Sequence, residues 1–325
     1  MRELTFTAAA REGLTEEMAR DPSVFVMGEG VGERGGNWAT TVGLYETYGP
    51  WRLRDTPISE RGFTGLCTGA ALAGGRPIVD FMFLDFLLDA MGEIVNQTAK
   101  MQYMSGGRLT MPLVLRGTIG VGFASATHHS GNYYPFLARV PGLRVVVPAT
   151  PRDAKGLLKT AIRSDDPVFF LEHKAVLNIK GPVPEEDYTI PFGQAAVVRE
   201  GGDVTVVALA FMVHRVLETA AALARERISV EVIDLRSVAP LDIETILASV
   251  HKTGRLLIVD EDYAPFGVGA EIAAQVMSRA FDDLDAPVAR LNGVFAPVPY
   301  SPPLEAAMQP DVMRIEKAIR AMLAE

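Results

Sequence analysis

An extended segment passes into a helix at Asp55-Thr-Pro-Ile-Ser-Glu60-Arg-Gly-Phe-Thr-Gly65. Pro57 disfavours a helical conformation at the preceding residue, and Ser59 is a typical N-cap residue, so Glu60 opens the first turn. The residues that follow, through Ala73, are small and nearly uncharged, which predicts a buried helix. A buried carboxyl group without a salt-bridge partner tends to share a proton with the group it faces. Glu60 is therefore either an acid favoured by the helix dipole or a functional acid.

Helical and strand-like segments alternate along the chain. Strands are predicted over 24–27, 78–81, 112–116, 144–148, 168–171, 204–208, 230–235, 256–260 and 287–291. Helices are predicted over 5–19, 60–73, 85–104, 151–164, 213–227, 241–253, 267–281 and 311–323. Residues 178–191, rich in proline, glycine and acids, read as a linker, and a proline-rich crossing covers 297–303. The alternation predicts an α/β protein of two doubly wound domains with mostly parallel sheets.

Composition excludes several classes of protein. The 325 residues carry 40 acidic against 31 basic groups, a net charge of −9, which argues against a nucleic-acid partner. The one cysteine, Cys67, excludes an intrachain disulfide and is expected to serve packing. Hydrophobic residues make up 48% of the chain, a share that suggests apolar surface held in common with partner subunits.

Nothing in the sequence predicts export or membrane insertion. The first four residues lack the apolar stretch of a signal peptide. The apolar run over 78–91 is interrupted by Asp80, Asp85 and Asp89, so it does not predict a membrane span. We expect a cytoplasmic protein that does not interact with membranes.

Two glycine-rich segments follow predicted strands. Gly28-Glu-Gly-Val-Gly32 has the spacing GxGxG and no helix after it, which disfavours a nicotinamide-binding site and draws attention to Glu29. Residues 117–138 contain no Asp, Glu, Lys or Arg but hold His128 and His129. Adjacent histidines in an uncharged loop past a strand's carboxyl end favour a functional site over simple packing. Two further histidines, His214 and His251, lie on predicted helices and are expected to be surface or packing residues.

Several motifs together resemble one family. They are Gly28-Glu-Gly-Val-Gly32, Asp55-Thr-Pro-Ile-Ser-Glu60, Tyr103-Met-Ser-Gly-Gly107, His128-His-Ser130, Pro141-Gly-Leu143, Asp153-Ala-Lys-Gly-Leu-Leu158 and Val298-Pro-Tyr-Ser301. With them the chain resembles, over essentially its whole length, the β subunit of the thiamine-diphosphate-dependent first component of 2-oxo acid dehydrogenase complexes. Pyruvate, branched-chain 2-oxo acid and acetoin dehydrogenases use such a subunit.

The resemblance implies a transketolase-like organisation. Residues 1–180 would form the domain that binds the cofactor's pyrimidine, 181–192 a linker, and 193–325 a transketolase C-terminal domain used for assembly. Glu60 matches the catalytic acid that hydrogen-bonds the pyrimidine ring nitrogen. By the same match, the residues lining the pyrimidine pocket would be Glu29, Ile58, Glu60, Met82 and Phe86.

His129 matches the family's active-site histidine, which implies assistance to acyl transfer onto a lipoyl group. The family usually has glutamine where this chain has His128 and Gly131. This departure leaves open which 2-oxo acid, or acetoin, is the substrate and whether a lipoyl-bearing acyltransferase is the acceptor.

The resemblance also implies metal ions and partners. A monovalent cation, K⁺, would lie at Leu113, Ala161, Ile162, Ser164 and Asp166, where Ser164 replaces a usual acid. Mg²⁺ would be held mainly by an α chain, because the Gly-Asp-Gly motif that binds Mg²⁺ and diphosphate in the family does not occur here. Two α and two β chains are expected.

Three other functions are compatible with these residues. A split transketolase-like subunit would keep the cofactor but transfer ketol units between sugars. A nicotinamide-binding protein and a non-catalytic assembly subunit are both weaker alternatives, the latter because Glu60 and its pocket are present.

Overall fold

A computed structural model describes residues 2–324, and its strands and helices alternate along the chain. The strands are β1 Arg2–Thr5, β2 Val24–Gly28, β3 Leu53–Asp55, β4 Arg76–Phe83, β5 Val114–Ile119, β6 Arg144–Val146, β7 Val168–His173, β8 Lys180–Val183, β9 Ala196–Arg199, β10 Val204–Ala208, β11 Val230–Asp234, β12 Ser237–Ala239, β13 Leu256–Tyr263 and β14 Ala289–Gly293.

The α-helices lie between these strands. They are α1 Phe6–Arg20, α2 Leu44–Tyr48, α3 Glu60–Leu72, α4 Met101–Met104, α5 Tyr134–Ala138, α6 Pro151–Arg163, α7 Phe211–Leu223, α8 Ile243–Thr253, α9 Val268–Arg279, α10 Pro302–Met308 and α11 Val312–Leu323. Shorter 3₁₀ turns cover Leu84–Ala90, Thr127–His129, Lys174–Val176, Ala224–Glu226 and Phe281–Asp283, and a π-helical segment covers Glu93–Thr98. Within residues 2–324, no helix has the length and apolar character needed to cross a bilayer.

The first half of the chain builds a seven-stranded sheet in the order β12-β6-β7-β5-β4-β2-β3. All its pairs are parallel except that of β12, which comes from the second half and runs antiparallel to β6. The carboxyl ends of β5, β4, β2 and β3 therefore lie side by side. That edge is where open α/β sheets bind ligands.

Helices cover both faces of this sheet because successive strand residues point to opposite sides. Ile78 packs into the cluster beneath α1 and α6, whereas Val79 packs into the cluster beneath α3. The small residues of α3, such as Cys67 and Ala71, allow it to lie close to the sheet. Cys67 serves packing as expected: it is fully buried, and burial raises the pKa of its thiol to about 12.

The second half forms a five-stranded sheet in the order β14-β13-β10-β11-β9, parallel except for β9. Helices α7 and α11 share one core cluster, and α8 and α9 lie in another. The latter continues into the first half, where Leu235 and Ile246 share a cluster with Leu137. The predicted α/β class with two doubly wound domains is thus confirmed, and the halves share apolar core.

The structure corrects the predicted helix over 85–104. It is divided into the 3₁₀ turn Leu84–Ala90, the π-helical segment Glu93–Thr98 and the short helix α4. Gly92 lies between the first two and is a poor helix former, at about 1 kcal/mol relative to alanine. Asp85, in the 3₁₀ turn, accepts a hydrogen bond from the Gly131 amide at 3.0 Å, a tertiary contact that the sequence pattern does not reveal.

Two segments predicted as irregular also contain regular structure. The predicted linker over 178–191 includes β8, which pairs antiparallel with β1. The proline-rich crossing over 297–303 leads into α10, which begins at Pro302. Proline is tolerated in the first helical turn because the amide it lacks would have no intrahelical partner there.

Candidate active site

Glu60 is the first residue of α3, as its sequence context predicts, and only 7% of its surface is exposed. No side chain or amide in residues 2–324 hydrogen-bonds its carboxylate, and its oxygens keep contact with solvent. Ser59 occupies the N-cap position, but its hydroxyl does not cap the helix. The Glu60 carboxylate is thus an acceptor left for a donor from outside this part of the chain.

A second acid, Glu29, lies beside Glu60 at the end of β2. Burial raises the pKa of Glu29, and the negative charge of Glu60 raises it further. The end of β3 is tied to β2 because the Thr56 amide donates to the Gly28 carbonyl at 3.1 Å. Gly28 is required there, since a Cβ would lie 2.3 Å from the Asp80 carbonyl oxygen. Two carboxyl groups in one partly buried pocket favour sharing of a proton.

Met82 has a strained backbone at the end of β4. Its φ of 64° lies in the left-handed region that non-glycine residues rarely adopt. Three hydrogen bonds hold it: its amide donates to Asp80 at 2.9 Å, and its carbonyl accepts from Thr118 at 2.7 Å and from Trp38 at 3.4 Å. Strain of this kind clusters at functional sites, where the surrounding structure enforces it.

His129 lies against two aromatic rings, one at the end of β4 and one in the 3₁₀ turn that follows it. Its ring centroid is 4.5 Å from that of Phe83 and 5.5 Å from that of Phe86, both in edge-to-face geometry. The Lys174 ammonium donates to the His129 carbonyl oxygen and, at 3.3 Å, to the Ser130 hydroxyl. The structure therefore brings His129 and Phe86 together, two residues that sequence reasoning chose from separate segments.

The remaining predicted residues differ in exposure. Ile58, just before α3, is 82% exposed, and the adjacent His128 is exposed on the loop. A cleft of about 670 Å³ runs beside the start of α3 and is bordered by exposed Trp51 and Leu66. Ser59, Gly62 and Phe63 of this segment line the cleft, whereas Glu60 does not.

A buried ion pair lies beneath this edge of the sheet. Arg116 on β5 forms a bidentate salt bridge with Glu172 on β7. Its guanidinium nitrogens donate to the two carboxylate oxygens at 2.7–2.9 Å, and both residues are fully buried. Burial opposes the charge of Arg116, but the carboxylates of Glu172 and Asp80 outweigh it and raise the pKa of Arg116. The pair holds β4, β5 and β7 in register under the site.

Arg116→Met is expected to lower the free energy of unfolding by about 3–5 kcal/mol, because it leaves a buried carboxylate without its partner. Urea denaturation of the purified chain measures this. The matched control is Arg279→Met, which removes an exposed pair with Glu244 and should cost less than about 1 kcal/mol. Equal small losses in both variants would contradict the assigned importance of the buried pair.

Sequence reasoning missed a group of ionisable residues between the two halves. His173 Nε2 contacts Glu261 at 2.8 Å, and both side chains are buried. Burial lowers the pKa of Lys174 to about 8, while Asp85, Glu305 and Glu261 oppose that shift. One signal was available: Glu-His-Lys follows the apolar run of β7, and Asp-Glu-Asp ends the apolar run of β13. Ionisable residues at the end of a buried strand, like Glu29, indicate a candidate functional position.

The five residues of the predicted K⁺ site lie together near the end of α6 and the start of β5. The carbonyl oxygens of Ile162 and Ser164 accept from Arg76 at 3.0 and 2.9 Å. The carboxylate of Asp166 accepts from Arg144 at 2.9 Å. Two carbonyls and one acid of the set therefore already face guanidinium groups, and the cation site stays a prediction.

The other histidines lie on helices, as expected. His214 on α7 is half-buried and contacts the Ala149 carbonyl at 2.8 Å, and burial lowers its pKa. His251 on α8 is exposed and contacts Asp283 at 3.1 Å. Both contacts are structural and lie away from Glu60 and His129.

Two family models match this chain. Residues 2–180 match the transketolase pyrimidine-binding domain, and residues 193–315 match the transketolase C-terminal domain. The chain belongs to the transketolase-like family of E1-type β subunits. The sheet edge that holds Glu60 and Glu29 thus lies within the family's pyrimidine-binding domain.

Relatives of this β-subunit family match nearly the full length. The acetoin:2,6-dichlorophenolindophenol oxidoreductase subunit beta of Cupriavidus necator is 45% identical, over 98% of this chain and 97% of the relative. The pyruvate dehydrogenase E1 component subunit beta of Rickettsia felis is 47% identical, over 98% of both chains. A mitochondrial pyruvate dehydrogenase E1 component subunit beta-1 of Arabidopsis thaliana is 46% identical, over 98% and 88%.

The fold is shared with a solved structure named as a split gene transketolase, inactive beta4 tetramer. The TM-score is 0.80 at 21% identity, over 99% of this chain and 98% of the other. At that identity the likeness concerns the fold, which confirms the transketolase-like architecture.

Proposed function

We propose that this chain is the β subunit of a thiamine-diphosphate-dependent E1 component. The component would act on pyruvate or a branched-chain 2-oxo acid by oxidative decarboxylation, or cleave acetoin, and pass the acyl group to a lipoyl group. The carrying observation is the nearly buried Glu60 carboxylate, which has no partner in residues 2–324 and lies beside a second acid. The relatives named above, at 45–47% identity, support this assignment.

The residues present fit the cofactor's aminopyrimidine. A carboxyl group without a protein partner suits a ring nitrogen with which it can share a proton, and Phe86 with Met82 offers an apolar wall. Bound thiamine diphosphate supplies a carbon nucleophile and an electron sink. In this proposal residues 1–180 hold the pyrimidine, 181–192 form the linker and 193–325 form the C-terminal domain.

Glu60 holds or moves a proton at the pyrimidine ring nitrogen, which is the role of a general acid–base group. Glu29, whose pKa is raised by burial and by the charge of Glu60, is a second acid close to the same site. The strained backbone of Met82 keeps the wall of the pocket in place. His129, packed on Phe83 and Phe86, presents its imidazole to a substrate or lipoyl group entering above that wall.

The proposal includes an α chain. Three apolar side chains beside the start of α3 are exposed: Trp51 at 76%, Ile58 at 82% and Leu66 at 53%. Exposed apolar patches of this kind mark interaction surfaces. We assign Mg²⁺ to the α chain, because the family's Gly-Asp-Gly motif does not occur in this sequence. Two α and two β chains, in the cytoplasm, complete the proposed assembly, with a lipoyl-bearing acyltransferase as its acceptor.

Substrate assays on the complex with its α chain test the proposal. We expect reduction of dichlorophenolindophenol with pyruvate, a branched-chain 2-oxo acid or acetoin. The competing hypothesis, ketol transfer between sugars, predicts activity only with a ketose donor and an aldose acceptor. Activity confined to the sugar pair would overturn the assignment.

His129→Ala is expected to lower the rate of lipoyl reduction by roughly 10²–10⁴-fold, the range for general acid–base groups, with a smaller loss in dye-linked decarboxylation. The two assays run on the same enzyme preparation measure the difference. His128→Ala is the matched control, because that neighbour is exposed and should change neither rate strongly. Equal losses in both assays for His129→Ala would assign the residue to binding instead.

A further inference from the structure

The loop that carries His129 has an unusual backbone. Three of its non-glycine residues have positive φ: Phe123 at 65°, Ala124 at 50° and Ala126 at 62°. Each such residue costs about 1–3 kcal/mol unless its surroundings enforce the conformation. Gly120, where the loop starts, has φ of 78°, and a Cβ there would lie 2.1 Å from His173 Nε2. Contacts from outside the loop must therefore stabilise this strained backbone conformation.

Glu305 of α10, in the C-terminal half, forms such stabilising contacts. Its Oε1 accepts from the Gly122 amide at 2.8 Å, and its Oε2 accepts from the Ala124 amide at 3.1 Å. Glu305 is 6% exposed, so these charge-assisted hydrogen bonds are shielded from water. Successive amides in left-handed turns form a concave nest for an anion, and here the anion is a carboxylate of the other half.

Further contacts from the C-terminal half support the same loop. Glu261 Oε1 accepts from the Val121 amide at 2.8 Å and from the Asn132 side chain at 3.1 Å. The Thr127 hydroxyl donates to the Val298 carbonyl oxygen at 2.8 Å. The loop is thus held at both ends and in the middle by residues distant in sequence.

The far end of the loop is fixed from within its own half. Buried Lys174 donates to the His129 carbonyl oxygen, and its ammonium lies 5.8 Å from the Phe83 ring on which His129 packs. The loop residues between Ala124, which Glu305 binds, and His129 are few, and they include the strained Ala126. The Glu305 contact at Ala124 lies five residues before His129, so Glu305 and Lys174 hold the two ends of one short backbone segment.

We propose that Glu305 is a positioning residue: its carboxylate holds the strained loop so that the His129 ring lies against Phe83 and Phe86. The C-terminal domain then does more than assemble subunits, because it sets the geometry of a residue in the other half. The claim about loop geometry is independent of the reaction, whereas its effect on acyl transfer rests on the proposed function.

Hydrogen–deuterium exchange on the assembled complex tests the geometry directly. Glu305→Gln is expected to speed exchange of the Gly122 and Ala124 amides roughly 10- to 100-fold, as for loss of a charge-assisted hydrogen bond. Glu305→Asp keeps the charge but shortens the side chain, and we expect a change in the same direction. The control Glu244→Gln removes an exposed carboxylate of the same half and should leave the loop unchanged. Unchanged exchange in folded Glu305→Gln and Glu305→Asp would overturn the proposal.

A double-mutant cycle tests the consequence for His129. Glu305→Gln should lower lipoyl reduction more than dye-linked decarboxylation, and should add little in a His129→Ala background, because the residue it positions is gone. Full additivity of the two losses would overturn the coupling. If the unmodified complex shows no lipoyl reduction, the proposed function fails, while the exchange experiment still decides whether Glu305 holds the loop.

Discussion

Glu60→Gln is expected to lower turnover by roughly 10²–10⁴-fold at saturating cofactor, with only a modest loss of cofactor affinity. Glutamine has the same shape and occupies the same helix start, so the pocket survives. It cannot hold or release a proton at the pyrimidine nitrogen in the way that a carboxyl group does. Its effect should therefore fall on the chemical step rather than on binding.

Steady-state rates and cofactor titrations on the complex with its α chain measure both quantities. Glu93→Gln is the matched control, because Glu93 lies against α3 and pairs with Arg61 outside the pocket. It should leave turnover unchanged. Near-normal turnover of the Glu60→Gln variant with saturating cofactor would rule out the assignment of Glu60 as the proton-transfer group.

The position of Glu60 could be predicted because its signals are local. Pro57, the N-cap position of Ser59 and the small residues of α3 lie within one short stretch and determine where the helix begins. The parallel sheet was equally predictable, since apolar strands alternate with helices and neighbouring strand ends must share one edge. Glu29 and Glu60 meet for that reason.

The hydrogen bonds that fix the His129 loop could not be predicted, because the residues they join are far apart in sequence. Gly122 and Glu305 are separated by 183 residues, and His173 and Glu261 by 88. No periodicity or spacing encodes which acid of the second half meets which amide of the first. The left-handed backbone at Phe123 and Ala124 could not be predicted either, because neither residue is glycine. It depends on the contact with Glu305, which the sequence does not reveal.

The broken helix after β4 was missed for a different reason. Its composition is helical, but the hydrogen bond between Asp85 and Gly131 draws its first turn towards the loop. Tertiary contacts of this kind override helix propensity, which is worth less than about 1 kcal/mol per ordinary residue. The same departure places Phe86 against His129.

The isolated chain is expected to show neither turnover nor tight Mg²⁺-dependent binding of thiamine diphosphate. In the proposed function Glu60, Glu29, Met82 and Phe86 contact the pyrimidine, but the sequence contains no Gly-Asp-Gly motif for a metal-bridged diphosphate. Half of a cofactor site binds weakly, because the charged diphosphate gains nothing from the pyrimidine pocket.

Calorimetric titration of the purified chain with thiamine diphosphate, with and without Mg²⁺, measures this directly. Addition of the α chain should restore both binding and turnover, and the α chain alone serves as the matched control. Trp51, Ile58 and Leu66 should lose solvent exposure on assembly, since they are exposed apolar side chains beside the start of α3. Tight, Mg²⁺-dependent binding by the isolated protein would contradict the division of the site between two chains, because the diphosphate would then have a binding site within this chain.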